Sequence, residues 1–309
     1  MSARRFVLLA LASLLAAATM ALLRAPFSLQ LGWQRLRLTR ALGPPHDVSA
    51  PRGPVRVWSG GRADAPTVVL IHGFTDHAGS WNEAAASLAS ELRVVVPELA
   101  GHGGSAPSEA PLTYDDVFAG LTRALEAHGG AAPMVLVGNS LGGWLALRYA
   151  REHPDRVARV VAVNSAGLRQ EIPRERLIPT TRAGVEDKLR AALGEHAPAL
   201  PGFVLDDIAS RSRDPRLASF LDTLEEDDLL EGTLGTLAPR VDLVWGTPDP
   251  WFPEGSYLPR LAAELPAPTQ TLLEGCGHSP QLGCLPRVLE RIRDAVAKRH
   301  ERGAPAAAR

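Results

Sequence analysis

The chain has 309 residues, 45% of them hydrophobic and 22% charged, which is enough for one large domain with a full core and room for an insertion. Its formal net charge of −1 offers no global field for nucleic acid. Its two cysteines make neither a disulfide framework nor a zinc cage.

The first element is an uncharged, largely apolar run over residues 6–23, with Arg4-Arg5 before it and Arg24 closing it. As a helix it would be roughly 27 Å long, close to the ~30 Å hydrocarbon core of a bilayer. That length predicts an uncleaved membrane anchor. A cleaved signal peptide is the rival, because Ala16-Ala17-Ala18 offers a small-x-small site, after which the domain would be exported. Arginines on both sides leave the membrane face open. Residues 24–54 read as a juxtamembrane segment and linker. Leu31, Trp33, Leu36 and Leu38 are mixed there with Arg35, Arg37 and Arg40, which suits a membrane surface and equally an edge element packed on the main domain. Pro44-Pro45 and Pro51-Arg52-Gly53-Pro54 mark the linker.

From residue 55 strands and helices alternate. Residues 55–58 form a short strand, 67–71 a continuous apolar run expected to be buried on both faces, 80–90 a helix and 92–97 another buried strand. Thr113 caps a helix to about His128, with Asp116 completing a capping box. Strands at 134–138 and 157–163 enclose a further helix. The alternation predicts a mainly parallel sheet with helices on both faces. It stops after Gly167. Residues 168–237 are rich in Pro, Asp, Glu and Arg, carry helical patches and offer no convincing strand, so they are expected to form an inserted helical cap. The alternation returns with a strand at 241–246, a helix near 256–264, a strand at 269–273 and a closing helix over 285–299. The core is therefore assigned to residues 55–167 and 238–300, and 301–309 to a disordered tail.

The chemistry is expected at Gly138-Asn139-Ser140-Leu141-Gly142, where an apolar strand bends sharply into a helix. A serine at such a bend has its hydroxyl pushed out above the sheet edge, and the helix N-terminus aims amide hydrogens at what it attacks. Two later strand ends carry the partners this serine needs: Thr247-Pro248-Asp249 and Gly275-Cys276-Gly277-His278. In a parallel sheet the carboxyl ends of strands are where sites form. A carboxylate and an imidazole on neighbouring loops complete the order Ser140, Asp249, His278. Asp242 lies inside its strand and is the weaker candidate acid.

His72-Gly73-Phe74, Gly101-His102-Gly103-Gly104-Ser105, the Ser140 bend, Trp245-Gly246-Thr247-Pro248-Asp249 and Gly277-His278 together resemble the α/β-hydrolase family over roughly residues 55–299. Within it, the N-terminal apolar segment, His72-Gly73-Phe74-Thr75, residues 163–168 and Gly275-Cys276-Gly277-His278-Ser279 are most similar to membrane-anchored monoacylglycerol lipases and related carboxylesterases. The chain departs from the family at Ala100, where a proline is usual, and near Gly283, where an acidic residue is usual.

The resemblance implies a serine hydrolase without cofactor: Ser140 as nucleophile, His278 as general base and acid, Asp249 orienting His278, and backbone N–H groups of Phe74 and Leu141 as oxyanion hole. The expected substrate is a monoacylglycerol-like or other medium acyl ester, with Phe203 and Trp251 candidates for its pocket. His72 is expected to brace its loop. The spacing of His72, Asp76 and His77 matches no metal motif, so no metal is expected. Cys276 and Cys284 flank the histidine; free thiols are the default, and a disulfide is open if the domain is exported. A carbon–carbon bond hydrolase of ring-fission products and a non-enzymatic ligand receptor are the alternatives on the same fold.

Overall fold

The computed structural model describes residues 25–300 and Arg5. The predicted anchor at residues 6–23 and the tail at 301–309 lie outside the described residues, among which no helix is long and apolar enough to cross a membrane.

Helix α1 (Pro26–Leu42) leads into strands β1 (His46–Val48), β2 (Val55–Gly61) and β3 (Thr67–Ile71). A short 3-10 turn, Ala78–Trp81, precedes α2 (Asn82–Leu88), so the helix expected at residues 80–90 is split in two. Then come β4 (Arg93–Pro97), α3 (Tyr114–His128), β5 (Met134–Asn139), α4 (Leu141–Glu152) and β6 (Val157–Val163). Four helices intervene before the next strand: α5 (Arg174–Leu177), α6 (Arg182–Leu193), α7 (Gly202–Arg211) and α8 (Pro215–Asp222). The chain finishes with β7 (Arg240–Thr247), α9 (Tyr257–Glu264), β8 (Thr269–Glu274), α10 (Pro280–Gly283) and α11 (Leu285–Ala297).

The eight strands form one sheet in the order β1-β2-β4-β3-β5-β6-β7-β8, antiparallel at β1–β2 and β2–β4 and parallel from β4 onward. Two expectations change at the antiparallel end. Within residues 24–54, read as juxtamembrane segment and linker, His46–Val48 forms a strand that pairs with β2, and β2 runs on to Gly61 because Gly60 and Gly61 find partners in Val94 and Arg93.

The central strands are apolar along their whole length because both faces are covered. Val69 and Ile71 of β3 and Leu136 of β5 point into a core shared with α3, α4 and α9. Val68, Leu70, Val135 and Val137 point into a second core under α1, α2 and α11. In α3, the Thr113 hydroxyl accepts from Asp116 N, and the Asp116 carboxylate accepts from Thr113 N, so the capping box is complete.

Helix α1 packs on the domain. Leu38 and Leu42 are buried beside Trp58, whose indole donates to Thr39 Oγ1 at 3.0 Å. Arg35 donates at 2.8 Å to the fully buried Glu98. The same helix leaves Leu29, Trp33 and Leu36 about half exposed, so it carries both an edge-packing face and an outward apolar face.

The direction of chain progress across the sheet reverses between β3 and β5: β3 is followed by β4 on one side, β5 by β6 on the other. In an open parallel sheet that switch point opens a crevice at the strands' carboxyl ends. The loop after β3 and the bend after β5 meet there.

Candidate active site

Ser140 occupies the bend between β5 and α4 with φ 55 and ψ −118. A non-glycine residue in that region costs on the order of 1–3 kcal/mol, so the surroundings must hold it. They do so through the backbone. Ser140 N donates to Val163 O at 3.0 Å, while Ser140 O accepts from Gly143 N, Trp144 N and Ala166 N at 3.0–3.1 Å. The glycines on either side are needed for close approach: a Cβ on Gly138 would sit 2.1 Å from Gly142 O, and one on Gly142 would sit 2.4 Å from Ile71 O.

Asp249 lies two residues beyond the end of β7 and is buried. Its Oδ1 accepts from Trp251 N and Phe252 N at 2.9 and 3.1 Å, and its Oδ2 accepts from Asn164 Nδ2 at 2.8 Å. The remaining bond joins Oδ2 to His278 Nδ1 at 2.7 Å. His278, in the loop after β8, is also buried, with Trp251 edge-on to its ring at 4.6 Å and Phe252 at 5.5 Å. The carboxylate acceptor requires the proton on Nδ1, which leaves Nε2 free to accept.

The loop after β3 lies against the nucleophile: a Cβ on Gly73 would be 3.2 Å from Ser140 Cβ. His72 braces this loop, its Nε2 accepting from Leu99 N at 3.0 Å and its Nδ1 donating to Gly73 O at 2.9 Å. Complete burial pushes its pKa well below the ordinary histidine range, with His102 adding to the effect. Leu141 is the first residue of α4, where an N–H has no partner within its own helix.

Two residues that sequence reasoning passed over tie the site together. Asn139 Nδ2 donates to His278 O at 2.9 Å and to Val163 O at 3.1 Å, and its Oδ1 accepts from Gln281 Nε2 at 3.0 Å. Asn164 receives Gly246 N on its Oδ1 at 2.7 Å and donates to Gly246 O and Asp249. Both are amides at the ends of otherwise apolar strands, and that is the signal they gave in the sequence.

Other candidates fall elsewhere. Asp242 is paired with Arg159 on the neighbouring strand β6 and is not with His278. Phe203 lies on α7 with 40% of its surface exposed, pointing away from α7's buried Leu205 and Ala209. Phe220 of α8 is the aromatic ring that stacks on Phe74, at 5.0 Å. Of the two states left open by the sequence, Cys276 and Cys284 adopt the disulfide, with a Cα separation of 5.7 Å. The short helix α10 turns the chain back and brings the two sulfurs together. His77 uses Nδ1 to accept from Gly79 N and Nε2 to bind Gln34, and among the described residues no cluster suited to a metal ion is present.

The sequence pattern of the alpha/beta hydrolase family matches residues 68–290. Monoacylglycerol lipase abhd6-B of Xenopus laevis is 28% identical over 243 residues, 69% of this chain and 70% of that protein. The crystal structure of a membrane phospholipase A, described as a bacterial virulence factor, superimposes with a TM-score of 0.76 at 25% identity, covering 95% of this chain and 99% of that one. A 2-hydroxy-6-oxo-6-phenylhexa-2,4-dienoate hydrolase from a Rhodococcus strain shares the fold, with a TM-score of 0.67 at 24% identity over 81% of this chain and 99% of its own. The chain belongs to the alpha/beta hydrolase family.

Proposed function

We propose that this hydrolase cleaves carboxylic esters through an acyl-enzyme on Ser140, with His278 as base and acid and Asp249 as its orienting carboxylate. The observation that carries the reading is the 2.7 Å bond from His278 Nδ1 to a carboxylate that is itself fully hydrogen-bonded, in a chain whose serine is held at a strained strand-to-helix bend. Ser140 Oγ attacks the ester carbonyl while His278 Nε2 takes its proton. The oxyanion of the tetrahedral intermediate is received by Phe74 N–H and Leu141 N–H. His278 then protonates the leaving alcohol, and a water activated by His278 releases the acid.

The similarity to a monoacylglycerol lipase and to a membrane phospholipase A favours a lipid-like acyl ester as substrate. Membrane association fits the apolar run at residues 6–23 and the exposed Leu29, Trp33 and Leu36 of α1, where Arg37 lies over the Trp33 ring. The Cys276–Cys284 disulfide fits a domain on the oxidising side of that membrane. The helical insertion between β6 and β7 serves as a cap over the crevice, with Phe220 on Phe74 as part of its inner wall.

A fluorophosphonate probe should label the wild-type protein and leave Ser140→Ala unlabelled, and nitrophenyl esters of graded chain length together with monoacylglycerols should be turned over. Absence of labelling in folded protein would return it to a ligand-binding role. Turnover of a vinylogous diketone without ester turnover would select carbon–carbon hydrolysis.

A further inference from the structure

Helix α6 touches both loops that the proposed chemistry depends on. At its C-terminal end, where the last carbonyls of a helix lack partners of their own, Ala191 O accepts from His278 N at 2.9 Å and Ala192 O from Ser279 N at 2.7 Å. Just beyond, Glu195 N donates to Gly275 O at 3.1 Å. The two backbones are pressed together: a Cβ on Gly277 would stand 2.5 Å from Gly194 N and 2.8 Å from Ala191 O. One turn earlier, Lys188 reaches the other loop. Its Nζ donates to Thr75 Oγ1 at 2.7 Å and to Leu177 O at 2.6 Å.

Thr75 is an unusual residue to find there. It has φ 61, a region where a β-branched side chain is strained. It sits inside a tight turn closed by Asp76 N donating to Gly73 O at 3.3 Å. The peptide unit whose carbonyl is Gly73 O is the same unit whose N–H belongs to Phe74. Carbonyl and N–H of one planar peptide point in opposite directions, so fixing Gly73 O fixes the aim of Phe74 N–H. Thr75 thus holds a strained turn, and Lys188 holds Thr75.

We propose that Lys188 is a positioning residue of the oxyanion hole: delivered by α6, its ammonium holds the Gly73–Asp76 turn that aims Phe74 N–H, while the end of the same helix fixes the backbone of the His278 loop. This rests on the Ser140–His278–Asp249 reading above. It makes α6 a fixed strap between base and oxyanion hole, so opening of the cap belongs to the helices that follow. Burial brings the lysine's pKa down to about 8 while nearby Asp76, itself raised by burial to about 6, opposes that shift, so the ammonium form is kept at neutral pH.

The test uses the full-length chain and a nitrophenyl ester. Lys188→Met should lower kcat by about tenfold to a hundredfold, short of the 10²–10³ seen when an oxyanion donor is removed outright, with KM within about twofold. Affinity for an alkyl boronic acid, whose tetrahedral adduct needs the same hole, should fall by the same factor. Thr75→Val removes the acceptor without touching α6 and should reproduce the loss, and the double variant should be no worse than either single one. It also carries the test alone if Lys188→Met does not fold. Arg190→Ala, on the exposed side of α6, should leave kcat unchanged. An unchanged kcat in folded Lys188→Met or Thr75→Val overturns the proposal, as does a loss confined to KM with boronate affinity retained. An active Ser140→Ala would instead sink the triad reading on which it rests.

Discussion

The carboxyl edge of the sheet and the helical insertion above it are both held by polar side chains, but in opposite ways. At the sheet edge Asn139, Asn164, Asp249 and His278 are each at most 4% exposed, and they bond to backbone groups and to one another, mostly between residues far apart in sequence. In the insertion Arg169, Arg174, Arg182 and Arg190 pair with Glu226, Asp222, Asp206 and Asp187, all on the surface. Each of its helices buries no more than two residues. A buried, fully paired group loses much when one partner changes, whereas a surface pair loses little. The first arrangement therefore suits atoms that must not move during a reaction. Outside the inner side of α6, which is bonded to the site loops, the second suits a cover whose shape can drift with substrate.

The sharpest way to break this comparison is Asp249→Asn. Neither orientation of the new amide fits: its NH₂ would face either the N–H groups of Trp251 and Phe252 or Asn164 Nδ2 and His278. The imidazole would also be driven to the wrong tautomer. Loss of about 10⁴-fold in kcat is expected, together with a fall in stability of about 2 kcal/mol from unpaired donors. Stopped assays and a denaturant titration would read both. A variant within tenfold of wild type would show that the buried edge is not where the chemistry resides.

The reach of sequence reasoning follows the same division. Ser140, Asp249 and His278 stood out because glycines and strand ends mark them locally. Asn139 and Asn164 did not, because their partners lie 139 and 82 residues away and an amide in a strand has no motif of its own. The bonds from α6 to the His278 loop were illegible altogether, since backbone joined to backbone leaves no side-chain signature. The exposure of Phe203 was not legible either, for a geometric reason. Leu205 and Ala209 are four apart on the buried stripe of α7, and a residue two before Leu205 falls on the opposite side of the helix. Phe220 occupies the buried position of α8 instead.

Acid should weaken the sheet edge next. His72, His77 and His102 are buried, and burial lowers His72 well below the ordinary range, His77 to about 3 and His102 to about 4. Below the unfolded value of about 6.5 the unfolded chain takes up three protons that the folded one refuses, so stability falls as pH falls from about 6.5 toward 4. Asp76, raised to about 6, works the other way, because folded protein gains its proton first. The net difference near pH 5 is about two protons, a loss of roughly 2–3 kcal/mol per pH unit. Urea titrations between pH 7 and 5 would reveal it; a stability that rises toward pH 5 would contradict the neutral burial of these rings.

The disulfide offers a smaller perturbation at the edge of the same region. Cys276 and Cys284 close a short loop around His278, and replacing both with alanine should cost about 2 kcal/mol. The His278 loop keeps its other restraints, Asn139 Nδ2 on His278 O and the α6 carbonyls on His278 N and Ser279 N. Ester turnover at a temperature well below unfolding should therefore stay within a few-fold of wild type. If turnover collapses while the fold persists, the bridge is holding the imidazole and those hydrogen bonds are not sufficient.

The smallest effect belongs to the insertion. Arg174→Ala removes a pair with Asp222 in which both side chains are close to half exposed. Each charge is already well solvated, and holding two long side chains in one geometry costs entropy that offsets much of the attraction. The change in stability should stay below about 1 kcal/mol and shrink further in high salt. In a domain of this size that is at most about 2–4 °C in Tm, which scanning calorimetry at low and high ionic strength can resolve. Turnover of a short nitrophenyl ester should be unchanged, because neither Arg174 nor Asp222 contacts the His278 or Phe74 loops through a hydrogen bond or ion pair. A salt-independent loss of several kcal/mol would mean that the pair is effectively buried in solution. The insertion would then be as tightly built as the sheet edge, and the division between fixed chemistry and adaptable cover would fail.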